Sequence, residues 1–553
     1  MARIKNTLIA MMAALLTISV LSLLSPLAAQ DLPLTVAEKS DFTATSRYAD
    51  VMSFISELQR RSPYLRLETF CVSTEGRAVP LLVIGKPLPA APVSLHHDGR
   101  SVIYIQANIH AGEVEGKEAS LMLARDILLS KDLPYLDRLI ILIAPIFNAD
   151  GNEKISPQNR PNQAGPKQGV GVRHNGQNLD LNRDGMKLES PELRGLVENI
   201  LLRWDPALLV DCHTTNGSYY QEVVTYSWGL SPNGDGGLVA YQRDKMMPEI
   251  ESILEKKYSI PAVGYGGFRD LKAPEKGWQT MDPQPRYVTN YMGLRNRLSI
   301  LDENYVYADF QARVAGNYHF LRAILDYCWT HLEEINEVVA EADRKTILKG
   351  LNPSEKDIFF VDFEVRPLAN PVTVHAYEVE IIQAAAGQRP QIRPTDKIKI
   401  QTIPYYSDWI GKRGVRFPFA YLLAVPDPDI IRKLLQHGLV VEKLTEPATL
   451  EVESFSLKEI KASDRLYQGH RMNQVKGGYA VVKREFPVGT FVIPTGQPLG
   501  NLAAYLLEPE SDDGLIVWNF FDRHLVPQWS RELQVYPVYK LLTPVNLVKE
   551  IVR

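Results

Sequence analysis

Apolar positions along the first 350 residues follow two rhythms. Between Arg47 and Arg61, Val51, Ile55 and Leu58 recur at helical spacing. By contrast, LLVIGK at 81 to 86, SVIYIQANI at 101 to 109, RLIILIAPIFN at 138 to 148 and PALLVDCH at 206 to 213 are short, nearly unbroken apolar runs. Such runs read as strands buried on both faces, and GKEASLMLARDILLS, after the second of them, reads as an amphipathic helix. Strands alternating with helices predict an α/β fold with a mixed, mostly parallel sheet flanked by helices. The stretch from Gln311 to Arg344 predicts more helix, with Phe320, Leu321, Ile324, Leu325, Cys328 and Leu332 on its buried face, and closes that unit.

After LKGLNPSEKD the rhythm changes. DIFFVDFEV, NPVTVHAYEVEII, GGYAVVKREF and GTFVIPTG are short β-rich runs broken by Pro and Gly, with one helix expected in PDPDIIRKLLQHGLVVEKL. The chain therefore divides into an α/β domain over residues 31–348 and a β-rich accessory domain over 349–553. Within the latter, ESDDGLIVWNFFD at 510 to 522 reads as a β-edge packed on its own domain.

Composition adds the cellular address. Of 553 residues 45% are hydrophobic and 23% charged, the formal net charge is −4, and the basic residues are scattered, which gives no sign of a nucleic-acid partner. Arg3 and Lys5 precede LIAMMAALLTISVLSLL and then Ser25, Pro26, Ala28 and Ala29, the pattern of a secretory signal peptide over residues 1–30. No later run is apolar and long enough to span a bilayer, so a periplasmic or secreted protein is expected. Three cysteines, Cys71, Cys212 and Cys328, exclude dependence on a disulfide framework.

Three polar interruptions carry the chemistry. In HAGE, directly after the SVIYIQANI strand, His110 and Glu113 can aim at one point, and His213 ends the PALLVDCH strand. Ligands in open α/β sheets bind at the C-terminal strand ends. Imidazole, carboxylate and imidazole delivered there form a candidate zinc site, since catalytic zinc takes three protein ligands and keeps one position open. Residues 150 to 178, rich in Gly, Pro, Asn and Gln, are long for a structureless connection and so are expected to be functional.

HAGE, then RHNGQNLDLNRD at 173 to 184, then DCH, in that order, resemble the zinc carboxypeptidase family, the metallopeptidases of carboxypeptidase A and B type, over roughly residues 45 to 340. The resemblance implies one zinc per chain held by His110, Glu113 and His213, with Asp180 orienting His110 through its other ring nitrogen. It implies that Asn182 and Arg183 grip the C-terminal carboxylate of a peptide substrate and that Arg173 stabilises the oxyanion. Glu303, after the strand of LSILDENYVY, would be the general base; alternation favours it over Asp302. Tyr291, in RYVTNYMGLRNR, is taken as the substrate-capping tyrosine, with Tyr287 as the neighbouring candidate. The implied activity is release of C-terminal residues from peptides. Deacylation of N-acyl amino acids, trimming of cell-wall peptides, and a non-catalytic peptide- or glycan-binding relative are the alternatives. Two details depart from the familiar pattern. Asp184 stands where a second asparagine is usual and is expected to add negative charge near the carboxylate pocket, favouring basic terminal groups. Arg286, Arg295 and Arg297 are expected to be surface charges.

Overall fold

The computed structural model describes residues 32–89, 99–130, 133–382, 391–526, 529 and 533–552, and the leader expected over residues 1–30 lies outside them. Helix α1 (Tyr48–Arg61) buries Val51, Phe54, Ile55 and Leu58 at the expected spacing. Strands β1 (Leu65–Val72), β2 (Ala78–Ile84), β3 (Ser101–Ala107) and β4 (Leu139–Ala144) follow, with helix α2 (Glu115–Leu129) between β3 and β4. Next come β5 (Leu208–Thr215), β6 (Val224–Trp228), helix α3 (Met247–Tyr258) and β7 (Ala262–Gly264). Two short strands, β8 (Gly267–Phe268) and β9 (Trp278–Gln279), lead to helix α4 (Val288–Leu294) and β10 (Leu298–Tyr305). Long helices α5 (Phe310–Thr330) and α6 (Leu332–Leu351) close this part of the chain.

The main sheet runs β1-β2-β4-β3-β5-β10-β6-β7. Its centre, β4-β3-β5-β10, is parallel, while β2 and β6 are antiparallel to the neighbours that join them to it. Every residue of β3, β4, β5 and β10 is buried, which is why β3, β4 and the first halves of β5 and β10 carry apolar residues on both faces. The expected mixed, mostly parallel sheet is present, and α5 packs against α2 beside it.

The second half contributes β11 (Ile358–Pro367), β12 (Val372–Ile382), β13 (Gln391–Ile403), β14 (Tyr405–Arg416), β15 (Ala420–Leu423) and helix α7 (Pro428–Gln436). These are followed by β16 (Glu442–Leu444), β17 (Ala448–Ala462), β18 (Asn473–Phe486), β19 (Phe491–Pro494), helix α8 (Gly500–Leu507), β20 (Val538–Leu541) and β21 (Lys549–Ile551). A seven-stranded sheet, β18-β17-β20-β15-β19-β16-β21, forms its body, and β12-β13 is a separate ribbon. The halves are fused: β14 pairs in parallel with β9, so that β11-β14-β9-β8 is one sheet drawn from both, and the main apolar core runs through from Val51 to Val538. Among the described residues no helix is long and apolar enough to cross a membrane, and the three cysteines are free.

The second half grips the segment that follows the NLDLNRD motif. Lys433 and His437, on and just after α7, donate to Leu188 O (3.2 Å) and Met186 O (3.1 Å). At the tip between β17 and β18, Tyr467 and His470 exchange backbone hydrogen bonds around Gln468 and Gly469, both left-handed at φ 52° and 82°. That turn points Gln468 Oε1 at the Asp180 amide, which donates to it at 2.8 Å, and sets His470 Nε2 2.9 Å from Glu189. The carboxylate of Glu189 raises the His470 pKa above its ordinary 6.5. A raised folded pKa makes this contact stabilising below the unfolded value and removes that contribution as pH climbs through the folded one. The melting temperature of the wild type is therefore expected to exceed that of His470→Asn most at about pH 5 and to converge on it by about pH 9, read by thermal scans across that range.

ESDDGLIVWNFFD is not a β-edge. It forms buried turns ahead of a helical turn at Asp522–Leu525, and Asp513 Oδ2 accepts the backbone N–H (2.7 Å) and Nε (3.2 Å) of Arg286. Nor are Arg286, Arg295 and Arg297 surface charges. All three are buried, Arg295 Nη1 donates to His437 O (2.9 Å), and Arg297 forks onto Asp205 (2.8 Å twice) with Asp343 on its remaining nitrogen (3.0 Å). Periodicity could not reveal this, because the main partners of these arginines, Asp513, His437, Asp205 and Asp343, lie far away in sequence.

Candidate functional site

At the end of β3 the chain leaves the sheet through Asn108, held left-handed at φ 66°, whose side-chain amide donates to Glu113 O (3.1 Å). The Glu113 amide donates to His110 O (2.9 Å), so HAGE is a closed turn that brings residues 110 and 113 together. Helix α2 then starts against β5. A Cβ on Gly116 would lie 2.5 Å from Cys212 Cβ, so glycine here lets α2 approach until Glu113 reaches His213.

The result is a tight triad. Glu113 Oε2 lies 3.1 Å from His110 Nδ1 and 3.0 Å from His213 Nδ1, and the two ring nitrogens are 3.2 Å apart. The outer nitrogens face carboxylates: His110 Nε2 donates to Asp180 Oδ1 (2.9 Å), and His213 Nε2 lies 2.9 Å from Asp211 Oδ2. Carboxylates on the outer nitrogens leave both Nδ1 atoms free to serve as ligands, the arrangement common to metal-bound histidines. Two imidazoles and one carboxylate suit zinc, so the residues fit the ion that the sequence motifs imply.

The charges around the triad are strongly biased. Burial alone would raise the Glu113 pKa, but His110 and Arg160 beside it hold the carboxyl well below the usual range. Asp180 is likewise buried yet held low by His110 and Arg173, whose Nε donates to its Oδ2 at 2.8 Å. Burial works against protonation of His213, while Asp211 and Glu113 push its pKa well above normal. Arg173 also stands 3.6 Å from Glu113 Oε1.

Glu303 pairs with His213 across the parallel β5-β10 register, so the two side chains share a face. Burial dominates its titration and pushes the carboxyl up to about 8, and its Oε2 is buried without a hydrogen-bond partner. Asp302, one position earlier, faces the other side and accepts from Asn317 of α5 (2.7 Å). Asn182 Oδ1 accepts from the Val288 amide (2.9 Å), and its amide nitrogen lies 3.3 Å from His213 Nε2. Arg183 donates to Asn182 O (2.8 Å), and its guanidinium lies over the Tyr287 ring at 4.4 Å.

His110, Glu113, Arg173, Asn182, Arg183, His213 and Glu303 together line one cavity of about 200 Å³. Tyr291 does not. One turn into α4, it is buried and donates its hydroxyl to His437 Nδ1 (2.7 Å), while Tyr287, at the N-cap of α4, lines the cavity with Tyr265. Asp184 is also absent from the lining. Fully buried, it accepts from Lys187 Nζ (2.6 Å), the Glu189 and Ser190 amides and Ser190 Oγ, so it folds the turn that follows and adds no charge to the pocket. Asp211 and Arg160 were missed from sequence. The first carried a usable signal, since residues 211 and 213 of one strand share a face. Arg160 lies in a loop with no period.

Residues 51–204 match the sequence profile of the zinc carboxypeptidase family. Carboxypeptidase 2 of Trichophyton equinum is 22% identical over 489 residues, covering 85% of this chain and 81% of that protein. Its counterpart from Trichophyton rubrum is 21% identical over 509 residues, covering 88% and 85%. Alignments of that length extend beyond α6, so the likeness reaches into the second half. Among solved structures, carboxypeptidase A from Helicoverpa armigera is 16% identical with a TM-score of 0.40, over 53% of this chain and 75% of that one. A putative carboxypeptidase A from Shewanella denitrificans is 19% identical at a TM-score of 0.39, over 52% and 69%. The profile match over residues 51–204 and the curated relatives, all carboxypeptidases, make this chain similar to the zinc carboxypeptidase family.

Proposed function

We propose that the protein removes C-terminal residues from peptides outside the cytoplasm, with His110, Glu113 and His213 holding zinc and Glu303 moving the proton. The observation that carries this reading is the convergence of the two Nδ1 atoms and Glu113 Oε2 beside an unpartnered Glu303 carboxylate oxygen. Zinc, when bound, would supply Lewis acidity to a carbonyl and to water. Glu303 takes a proton from the attacking water and returns it to the leaving amine. Arg183 and Asn182 orient the chain end, since a guanidinium recognises a carboxylate and not an internal peptide bond. Arg173, fixed by Asp180, presents a cation to the oxyanion, and Tyr287 takes the place first given to Tyr291 at the cavity wall.

The test is a panel of peptides and N-acyl amino acids given to zinc-loaded protein with and without chelator. Chelator-sensitive release of C-terminal residues is the expected result. Cleavage of the small N-acyl compounds with the peptides left intact would replace this reading with a deacylase. Asp180→Asn is expected to weaken zinc binding by about 10- to 100-fold, measured by competition with a chromophoric chelator, because His110 would lose the carboxylate that sets its orientation. Export on the leader over residues 1–30 is part of the proposal, and mature protein in the periplasmic or external fraction, beginning at about Asp31, is the expected outcome of fractionation and N-terminal sequencing.

A further inference from the structure

Arg160 enters the site from the Gly- and Pro-rich segment after β4 and has no part in the reaction as set out above. Its Nη2 lies 3.1 Å from Glu113 Oε1, and its side chain lines the cavity. Glu113 is already fully engaged: Oε2 faces both histidines and accepts the Thr214 amide at 3.1 Å, while Oε1 is shared by Arg160 and Arg173. Arg160 Nη1, in contrast, is buried with no hydrogen-bond partner. A buried donor left without an acceptor carries an uncompensated desolvation penalty, so the protein maintains this nitrogen at a cost that an incoming acceptor would remove.

The surroundings are shaped to hold the side chain there. A Cβ on Gly112 would lie 2.8 Å from Arg160 Cδ and 3.0 Å from Gly171 O, so only glycine at the third position of HAGE admits the arginine. The segment itself is pinned: Gln163 Nε2 donates to Gly112 O (3.2 Å), the Gln163 amide to Arg160 O (3.0 Å), and the Ala164 amide to Val306 O (3.0 Å). Arg313 of α5 secures it from below through Ala164 O and Gly165 O, each at 2.9 Å. Arg160 is thus a fixed donor and not a mobile surface charge.

What it would bind follows from the lining. Three guanidiniums, of Arg160, Arg173 and Arg183, stand against two carboxylates, of Glu113 and Glu303, so the cavity draws anions. Arg183 already donates to Asn182 O and is assigned to the terminal carboxylate, and Arg173 is tied to Asp180. Charge-assisted bonds from a guanidinium to a carboxylate are about twice as strong as neutral ones. Building on the peptide-release reading, we infer that Arg160 is a specificity-determining residue whose free nitrogen takes a second carboxylate of the substrate. The site then selects peptides with an acidic side chain on the residue released or on the one before it. This is opposite to the preference that Asp184 suggested in the sequence.

Three acetylated tripeptides, acetyl-Gly-Ala-Leu, acetyl-Gly-Asp-Leu and acetyl-Gly-Ala-Glu, test the assignment. Binding to chelator-stripped protein is measured by calorimetry, so the result does not depend on turnover. For the wild type, one acidic peptide is expected to bind about tenfold more tightly than the neutral one, and which of the two it is gives the position read. In Arg160→Met, and in Gly112→Ala, which displaces the arginine without removing it, the ratio is expected to fall to about one; Arg160→Lys should keep part of it. A ratio near one in the wild type, or one that survives in Arg160→Met, overturns the assignment. So does failure of folded Arg160→Met to take up zinc, because Arg160 would then serve to hold Glu113. Stripped protein that discriminates, paired with zinc-loaded protein that releases nothing, would leave the Arg160 assignment standing and defeat the carboxypeptidase reading.

Discussion

Replacing Glu303 by Gln is expected to lower kcat for release of a C-terminal residue by about 10²- to 10⁴-fold while zinc uptake is unchanged. The substitution preserves shape and removes only the capacity to carry a proton. Glu303 is suited to that test because it is buried at the end of β10, shares a face with His213, and has a carboxylate oxygen that no other group engages. Zinc content reports on His110, Glu113 and His213, while turnover reports on Glu303, so the two readouts separate a lost base from a lost metal. Asp302→Asn is the matched control. Its side chain lies on the opposite face of the strand against Asn317, and a fall in kcat comparable to that of Glu303→Gln would assign the proton transfer to the wrong carboxylate. A kcat for Glu303→Gln within threefold of the wild type would remove Glu303 from the mechanism altogether.

The sheet and the clustering of His110, Glu113 and His213 were legible because each rests on short-range sequence logic. A parallel strand buried on both faces must be apolar throughout, and the polar residue that ends such a run stands at the edge where ligands collect. HAGE and DCH are endings of that kind. What could not be read was set by partners distant in sequence. Tyr291 and Tyr287 are one helical turn apart and chemically alike. The choice between them is made by His437, 146 residues further on, which draws Tyr291 away from the cavity. Asp184 is a different case: its partners, Lys187 and the 189–190 amides, are close in sequence, but the irregular turn that folds them onto it has no period to read. The second half was legible as β-rich, since β17 and β18 alternate, yet its helix α8 is buried at every position and presents an apolar run with no period to read.

The same long-range contacts imply that the second half is a structural part of the site. Asp180 is held on three sides: His110 and Arg173 take its carboxylate, and Gln468 accepts its amide. Asn182, in turn, is positioned through Val288, two residues after Arg286. The placement of Asp180 beside His110 therefore depends on residues from both halves, which also share the β9-β14 pairing.

Asp513→Ala is expected to destabilise the whole protein by about 3–5 kcal/mol, because it leaves the Arg286 guanidinium buried without its partner. Asp513 is fully buried; its Oδ1 accepts from Trp518 Nε1 (2.8 Å) and lies 3.1 Å from Arg286 Nη2, while Oδ2 accepts two more donors from Arg286. Burial outweighs the adjacent guanidinium and pushes its carboxyl up to about 6, so the pair is formed at neutral pH but against a large desolvation cost. That balance makes the double variant informative. Replacing both partners with apolar residues, as in Arg286→Met with Asp513→Leu, removes the stranded charge and is expected to recover most of the loss, since buried ion pairs are often nearly neutral against hydrophobic replacements. Denaturant titration of the two single variants and the double variant measures the coupling between the positions. Peptide turnover measured on the same proteins then shows whether the clamp also serves the site. Arg286 O accepts the Gly185 amide (3.2 Å) and Tyr287 borders the cavity, so KM is expected to rise in Asp513→Ala even at temperatures where the protein remains folded. An unchanged KM alongside the full loss of stability would show that the second half braces the fold without positioning Tyr287 for substrate.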